Sequence, residues 1–237
     1  MDKKVLQVMS SPNNSYETIA ELFAETRSRG DKSVTNPHFT VESFPRSANT
    51  FLVAALNMSW PNMSVQSHSH NSKHLAAANG LFPVVSIIRN PVEAIASCSV
   101  HLSVKEPEKA KNLTRLIDLY GDLVYCAQNN PNVFVIPFEK VTSDIVGTLD
   151  LIENKYGLEK RVHLSAENIL AKTFELSKMV NQDDESFTKR GHVPREIHPL
   201  YAETIEELKN PIYPESLSNV TKIYDSLIHN FYQSIKK

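Results

Sequence analysis

Residues 82–88 read Phe-Pro-Val-Val-Ser-Ile-Ile, apolar at both odd and even positions, and Arg-Asn-Pro-Val-Glu follows with no spacer. A strand with one wet face alternates polar and apolar residues. A run that is apolar on both parities must be covered on both faces, which is the condition of a parallel strand inside an α/β sheet. The residues after it announce a helix: Asn90 can cap it, Pro91 suits the first helical position, and Glu93 stands where a capping-box carboxylate belongs. Arg89 is thereby fixed at the carboxyl end of a buried strand.

The same succession recurs along the chain. Residues 38–44 read as a strand, a short turn follows, and 49–58 form a helix that turns Phe51, Leu52, Ala55 and Leu56 to a core before Pro61 closes it. A short strand is expected at 63–67, a helix at 113–127, a second buried strand at 133–138, and a helix at 141–156. An amphipathic helix over 214–235 packs on the sheet in this reading. Ahead of the first strand, 5–9 is a short apolar run and 16–27 an amphipathic helix with Ile19, Leu22 and Phe23 on one side. After Glu159 the order is less regular, and the acidic polar stretch 181–186 reads as a mobile loop. Strands alternating with helices predict an α/β fold: a mostly parallel central sheet flanked by helices, with right-handed crossovers and ligands at the strands' carboxyl ends. At 237 residues one domain, 1–237, is expected; a chain of this size buries roughly 70–75% of the surface its unfolded form exposes.

Composition narrows the function. The 25 Lys and Arg against 27 Asp and Glu leave a net charge of −2, which argues against a broad nucleic-acid surface, so any anion site has to be local. No apolar run approaches the roughly 20 residues that span a bilayer, and the first residues lack the hydrophobic region of a secretory signal. The chain therefore reads as cytoplasmic, with no membrane or nucleic-acid partner, and the Asn-Met-Ser sequons at 57–59 and 62–64 and the Asn-Leu-Thr sequon at 112–114 read as chance. Cys98 and Cys126 lie in apolar helical segments without zinc or redox spacing, which predicts buried free thiols.

Residues 43–52, Ser-Phe-Pro-Arg-Ser-Ala-Asn-Thr-Phe-Leu, carry the first chemical signal. A Walker loop needs G-x-x-x-x-G-K-[ST], whose glycines let backbone amides wrap a polyphosphate. Here no glycine stands between Gly30 and Gly80. What remains is a tight strand-to-helix turn whose amides, from Ser47 to Phe51, form a helix N-terminal anion site with Arg46 beside it. That arrangement suits one phosphate with a single attached group. Ser97 lies seven residues beyond Asn90, about two turns, so its hydroxyl returns to the face of the helix that carries the cap.

The turn resembles the 5′-phosphosulfate loop of sulfotransferases that use 3′-phosphoadenosine 5′-phosphosulfate (PAPS), approximately Y-P-[KR]-S-G-[TS]-T. Arg46, Ser47 and Thr50 match; Ala48 replaces the glycine and Asn49 the first threonine. Arg89-Asn90-Pro91 with Glu93 and Ser97 resembles the family's 3′-phosphate signature, R-N-P-x-[DE]-x-x-x-S, and Phe187-Thr188-Lys189-Arg190-Gly191 its F-x-R-K-G closing element. Phe138-Glu139 and Thr173-Phe174-Glu175 stand where relatives carry aromatics that approach adenine. The resemblance spans about residues 38 to 192. It implies a P-loop-NTPase-like sulfotransferase fold and PAPS as sulfuryl donor, held by Arg46, Ser47, Ala48, Asn49, Thr50, Phe51, Arg89, Ser97, Phe138, Phe174, Lys189, Arg190 and Gly191. No metal is implied.

Sulfuryl transfer resembles phosphoryl transfer in its loose transition state, where charge on the leaving oxygen has to be stabilised. Arg46 is assigned that role, because a guanidinium does not readily donate a proton near neutrality. The acceptor, a hydroxyl or amine of an unidentified small molecule or other partner, still has to lose a proton. His68, in Gln66-Ser67-His68, resembles the family's K-T-H base and is preferred to His70. The spacing of His68, His70 and His74 also admits a metal reading, which is the weaker one because no carboxylate lies close by in sequence. Two other functions fit the same segments: a nucleotide kinase or NTPase of related architecture, disfavoured by the missing Walker lysine, and a non-catalytic module binding adenosine 3′,5′-bisphosphate. Loops at 71–80, 103–111 and 181–186 are expected to select the acceptor. No K-x-x-x-T-V-x-x-x-E dimerisation signature is present near the C-terminus, and the oligomeric state stays open.

Overall fold

The computed structural model describes residues 39–60, 65–67, 69–105, 108, 111–159, 161–171 and 199–236. The apolar run and helix expected within 1–36 lie outside these residues. Among these residues four strands, β1 (Phe39–Ser43), β2 (Val65–Ser67), β3 (Val84–Ile88) and β4 (Val133–Pro137), form an all-parallel sheet in the order β2-β1-β3-β4. Helices α1 (Asn49–Ser59), α2 (Ser72–Ala76), α3 (Pro91–Lys105), α4 (Leu113–Asn129), α5 (Phe138–Ser143), α6 (Ile145–Tyr156), α7 (Pro199–Leu208) and α8 (Pro214–Ser234) flank it. The α/β class and the parallel sheet are those expected.

Parity along the strands sorts the core into two layers. Val84 and Ile88 of β3 join Ala94, Ile95, Ile117 and Tyr120 on one face, whereas Val85 and Ile87 join Leu52, Leu56, Ile145 and Leu149 on the other. The continuous apolar run is explained by this double cover. Helix α8 lies against β4, with Val220 and Leu227 in the first layer and Phe231 in the second.

Three boundaries differ from the expected ones. The strand expected over 133–138 stops at Pro137, and Phe138 opens α5. The helix expected over 141–156 is split at Asp144, which ends α5 and caps α6 by accepting from the Gly147 N–H at 2.9 Å. The segment 71–80, expected as a loop, contains α2 and buries His74, Leu75 and residues 76–78. Asn130 latches it from the start of β4's approach, its Nδ2 donating to the carbonyls of Leu75 at 2.8 Å and Ala78 at 2.7 Å. Residues 103–105 of the second expected loop belong to α3, and 181–186 lie outside the described residues.

Candidate functional site

The strand order places a crevice between β1 and β3. From β1 the chain passes into α1 on one face of the sheet, and from β3 into α3 on the other, so the two connections part at the carboxyl ends of neighbouring strands. Such a switch point is where open α/β sheets hold ligands. Both arginine-bearing turns open there, with Ser43 and Ile87 in register just below them.

The first turn is strained. Arg46 has φ 69° and Ala48 φ 62°, the left-handed region, which costs a residue with a Cβ roughly 1–3 kcal/mol. Ala48 is also the N-cap of α1 and makes no side-chain cap hydrogen bond. The N-cap position thus supplies no carboxylate or hydroxyl to the positive end of the helix. Two neighbouring side chains are buried without being satisfied: Ser47 is 1% exposed and Asn49 5%, and the Ser47 hydroxyl and both polar atoms of the Asn49 carboxamide have no hydrogen-bond partner among the described residues. An unpaired buried polar group costs about 1–3 kcal/mol. A cradle of strained backbone and unsatisfied donors is the arrangement an anion would complete.

Arg46 is half-buried over this turn. Burial, and secondly the positive charge of Arg89, pull its pKa down, while Cys98 opposes them; a guanidinium starts so high that it stays charged. Several contacts hold Arg89 in place. Its Nη1 donates to the Arg46 carbonyl at 3.2 Å, its Nη2 to Glu93 Oε2 at 3.4 Å, and its Cζ lies 4.5 Å from the centre of the Phe138 ring. The Tyr120 hydroxyl donates to the Arg89 carbonyl. Asn90 accepts from the Glu93 N–H at 3.3 Å and Pro91 opens α3, as the cap signals require.

Ser97 is half-buried on α3. Phe138, expected near adenine, stacks on the Arg89 guanidinium. His70 has φ 48° and its Nδ1 lies 2.7 Å from the Ser43 carbonyl, at the end of β1. His74 is buried against Glu42, Nδ1 to Oε1 at 2.5 Å. Among the described residues no group of three or more His, Cys, Asp or Glu is placed to hold a metal ion. His68, Phe174, Lys189, Arg190 and Gly191 lie outside the described residues. Cys98 and Cys126 are free and buried, as expected. No helix among the described residues is long and apolar enough to cross a membrane.

Two residues at this site carry no motif. Tyr120 sits on the apolar face of α4, where its hydroxyl was the only hint of a polar partner. Tyr201 of α7 stands close enough to Glu93 and Arg89 to feel their charges; burial first, then Glu93, raise its pKa, and Arg89 lowers it.

Neither a protein-family model nor a curated protein matches the chain. Among solved structures it is similar to a mouse sulfotransferase, SULT7A1, complexed with PAP, at 16% identity and a TM-score of 0.46, over 88% of this chain and 99% of that one. A likeness this loose decides nothing about chemistry, which has to come from the side chains.

Proposed function

We propose that the protein is a PAPS-dependent sulfotransferase. The observation that carries the reading is the cradle at the head of α1: a strained turn whose Ser47 hydroxyl and Asn49 carboxamide are buried with no partner among the described residues, flanked by Arg46 and Arg89 from adjacent strand ends. Its positive charge and the amides of a single helix end suit one phosphate carrying one further group. In this reading Arg46, Ser47, Asn49, Thr50 and the first amides of α1 hold the 5′-phosphosulfate, and Arg89 with Ser97 faces the 3′-phosphate, joined by Lys189 and Arg190.

PAPS supplies the sulfuryl group: the bond from sulfur to the bridging phosphate oxygen breaks as the acceptor oxygen or nitrogen bonds to sulfur, and adenosine 3′,5′-bisphosphate departs. Arg46 stabilises the charge left on the phosphate. His68 takes the acceptor's proton, with His70 the alternative base. Phe138 serves the cofactor indirectly, by holding the Arg89 plane.

The test is incubation of the protein with sulfur-labelled PAPS and a metabolite extract, followed by mass identification of what becomes sulfated. Labelled product that forms equally in excess EDTA supports the reading. Hydrolysis of ATP or GTP with no use of PAPS would replace it by the kinase or NTPase alternative, and tight bisphosphate binding with no acceptor sulfated would favour the non-catalytic module.

A further inference from the structure

We infer that Arg89 is a positioning residue for the phosphate turn as well as a ligand for the far phosphate: by holding the Arg46 carbonyl it makes the turn's grip on a 5′-phosphate depend on the second strand. The inference rests on the adenine-nucleotide reading above and goes beyond it, because that reading assigns Arg89 to the 3′-phosphate alone.

The geometry of one peptide unit carries the point. Arg89 Nη1 donates to the carbonyl of Arg46 at 3.2 Å, across 43 residues of sequence. In a planar trans peptide the carbonyl and the next N–H point in opposite directions. Fixing the Arg46 carbonyl therefore fixes the Ser47 N–H, the first amide of the proposed cradle. The fixed unit lies between the two residues of the turn with positive φ, Arg46 and Ala48, so it sits where the backbone has most reason to relax.

The guanidinium is able to do both tasks at once. It offers five N–H donors in a rigid plane; Nη1 gives one to Arg46 and Nη2 one to Glu93. Among the described residues that leaves three, including Nε, which is buried and without a partner. Phe138 beneath the plane and the Tyr120 hydroxyl on the Arg89 carbonyl keep it from swinging away. A phosphate taking the remaining donors locks the same plane that holds the turn.

The probe is AMP, which has a 5′-phosphate and no 3′-phosphate. Arg89→Lys keeps the charge and loses the fork. It should bind AMP roughly threefold to tenfold more weakly than the wild type, the range one net hydrogen bond supports, and in the ligand-free protein the amides of residues 47–51 should exchange hydrogen faster. Either an unchanged AMP affinity or an unchanged exchange rate overturns the inference and leaves Arg89 with the 3′-phosphate alone. If the wild type binds neither AMP nor adenosine 3′,5′-bisphosphate, the functional reading fails, and equal exchange rates in the two ligand-free proteins then overturn the brace separately. Should Arg89→Lys not fold, Phe138→Leu removes the supporting ring without touching any charge; faster exchange at 47–51 supports the brace, and equal exchange refutes it.

Discussion

Ala48 shows what a single methyl group does at this site. Its φ of 62° is the conformation that glycine adopts without strain, and it stands where the resembled loop has glycine. Ala48→Gly should therefore stabilise the protein. Relief of left-handed strain, about 1–2 kcal/mol, exceeds the extra chain entropy of glycine, about 0.5–1 kcal/mol. In a chain of this size the melting temperature should rise by roughly 1–4 °C in a calorimetric scan, and a fall would show that Ala48 does not hold this conformation. Cys98 gives a second residue-scale expectation. Burial pushes its thiol up to about 12 against an ordinary value of 9.0, with Arg46 opposing. A raised acid pKa contributes stability that is complete below the unfolded value near 9 and is lost as pH climbs towards 12. The urea midpoint should fall between pH 8 and pH 10.5, and fall less in Cys98→Ala. Equal falls would mean that the thiol meets water in the folded protein.

Among the helices, those with two or more turns of regular pattern inside the strand–helix alternation were legible and the short ones were not, whereas even the three-residue β2 was anticipated. Helix α1 begins at Asn49 as expected, and β3 and α3 meet at Arg89-Asn90-Pro91, because capping and double burial act on neighbouring residues. Arg46 and Arg89 could be placed at strand ends for the same local reason. Helix α7 was missed: it buries few side chains, Thr204 and Leu208 among them, and it stands where the regular alternation of strand and helix has ended. Helix α2 has five residues, flanked by Asn71, Asn79 and Gly80, which read as loop. The partners of Tyr120 and Phe138 were hidden because each lies across the fold, the Tyr120 bond closing over 31 residues. The Asn130 latch belongs to this class. Its carboxamide is 7% exposed and satisfies carbonyls of α2 and the turn after it while accepting from the Asn132 N–H at 3.0 Å. Asn130→Ala should lower unfolding free energy by about 1–3 kcal/mol, since it leaves buried carbonyls unpaired. Urea denaturation measures this directly, and a change below about 0.5 kcal/mol would mean that water replaces the side chain.

At the scale of the whole molecule, a slightly acidic chain sets two arginines, Arg46 and Arg89, where two parallel strands part, and the proposed reaction divides between several groups. Adenosine 3′,5′-bisphosphate should bind at least about tenfold more tightly than AMP, roughly 1.4 kcal/mol, because the proposed reading gives Arg89, Lys189 and Arg190 a phosphate that AMP lacks. Equal affinities in calorimetry would remove that assignment. Catalysis should separate from binding along the same lines. If Arg46 stabilises the leaving phosphate, Arg46→Ala should lower turnover by roughly 10²–10³-fold and weaken cofactor binding less, since the 3′-phosphate contacts survive. If His68 is the base, His68→Ala should leave PAPS binding nearly intact yet slow transfer by roughly 10²–10⁴-fold, and the acidic limb of the pH profile should vanish with it. His70 supplies the comparison: its Nδ1 is 2.7 Å from the Ser43 carbonyl, a contact that would orient the ring whether it served as a base or only closed the turn. Single-turnover transfer with an identified acceptor decides between them. An inactive His70→Ala beside a normal His68→Ala would move the base two residues along the chain and leave the phosphate cradle untouched.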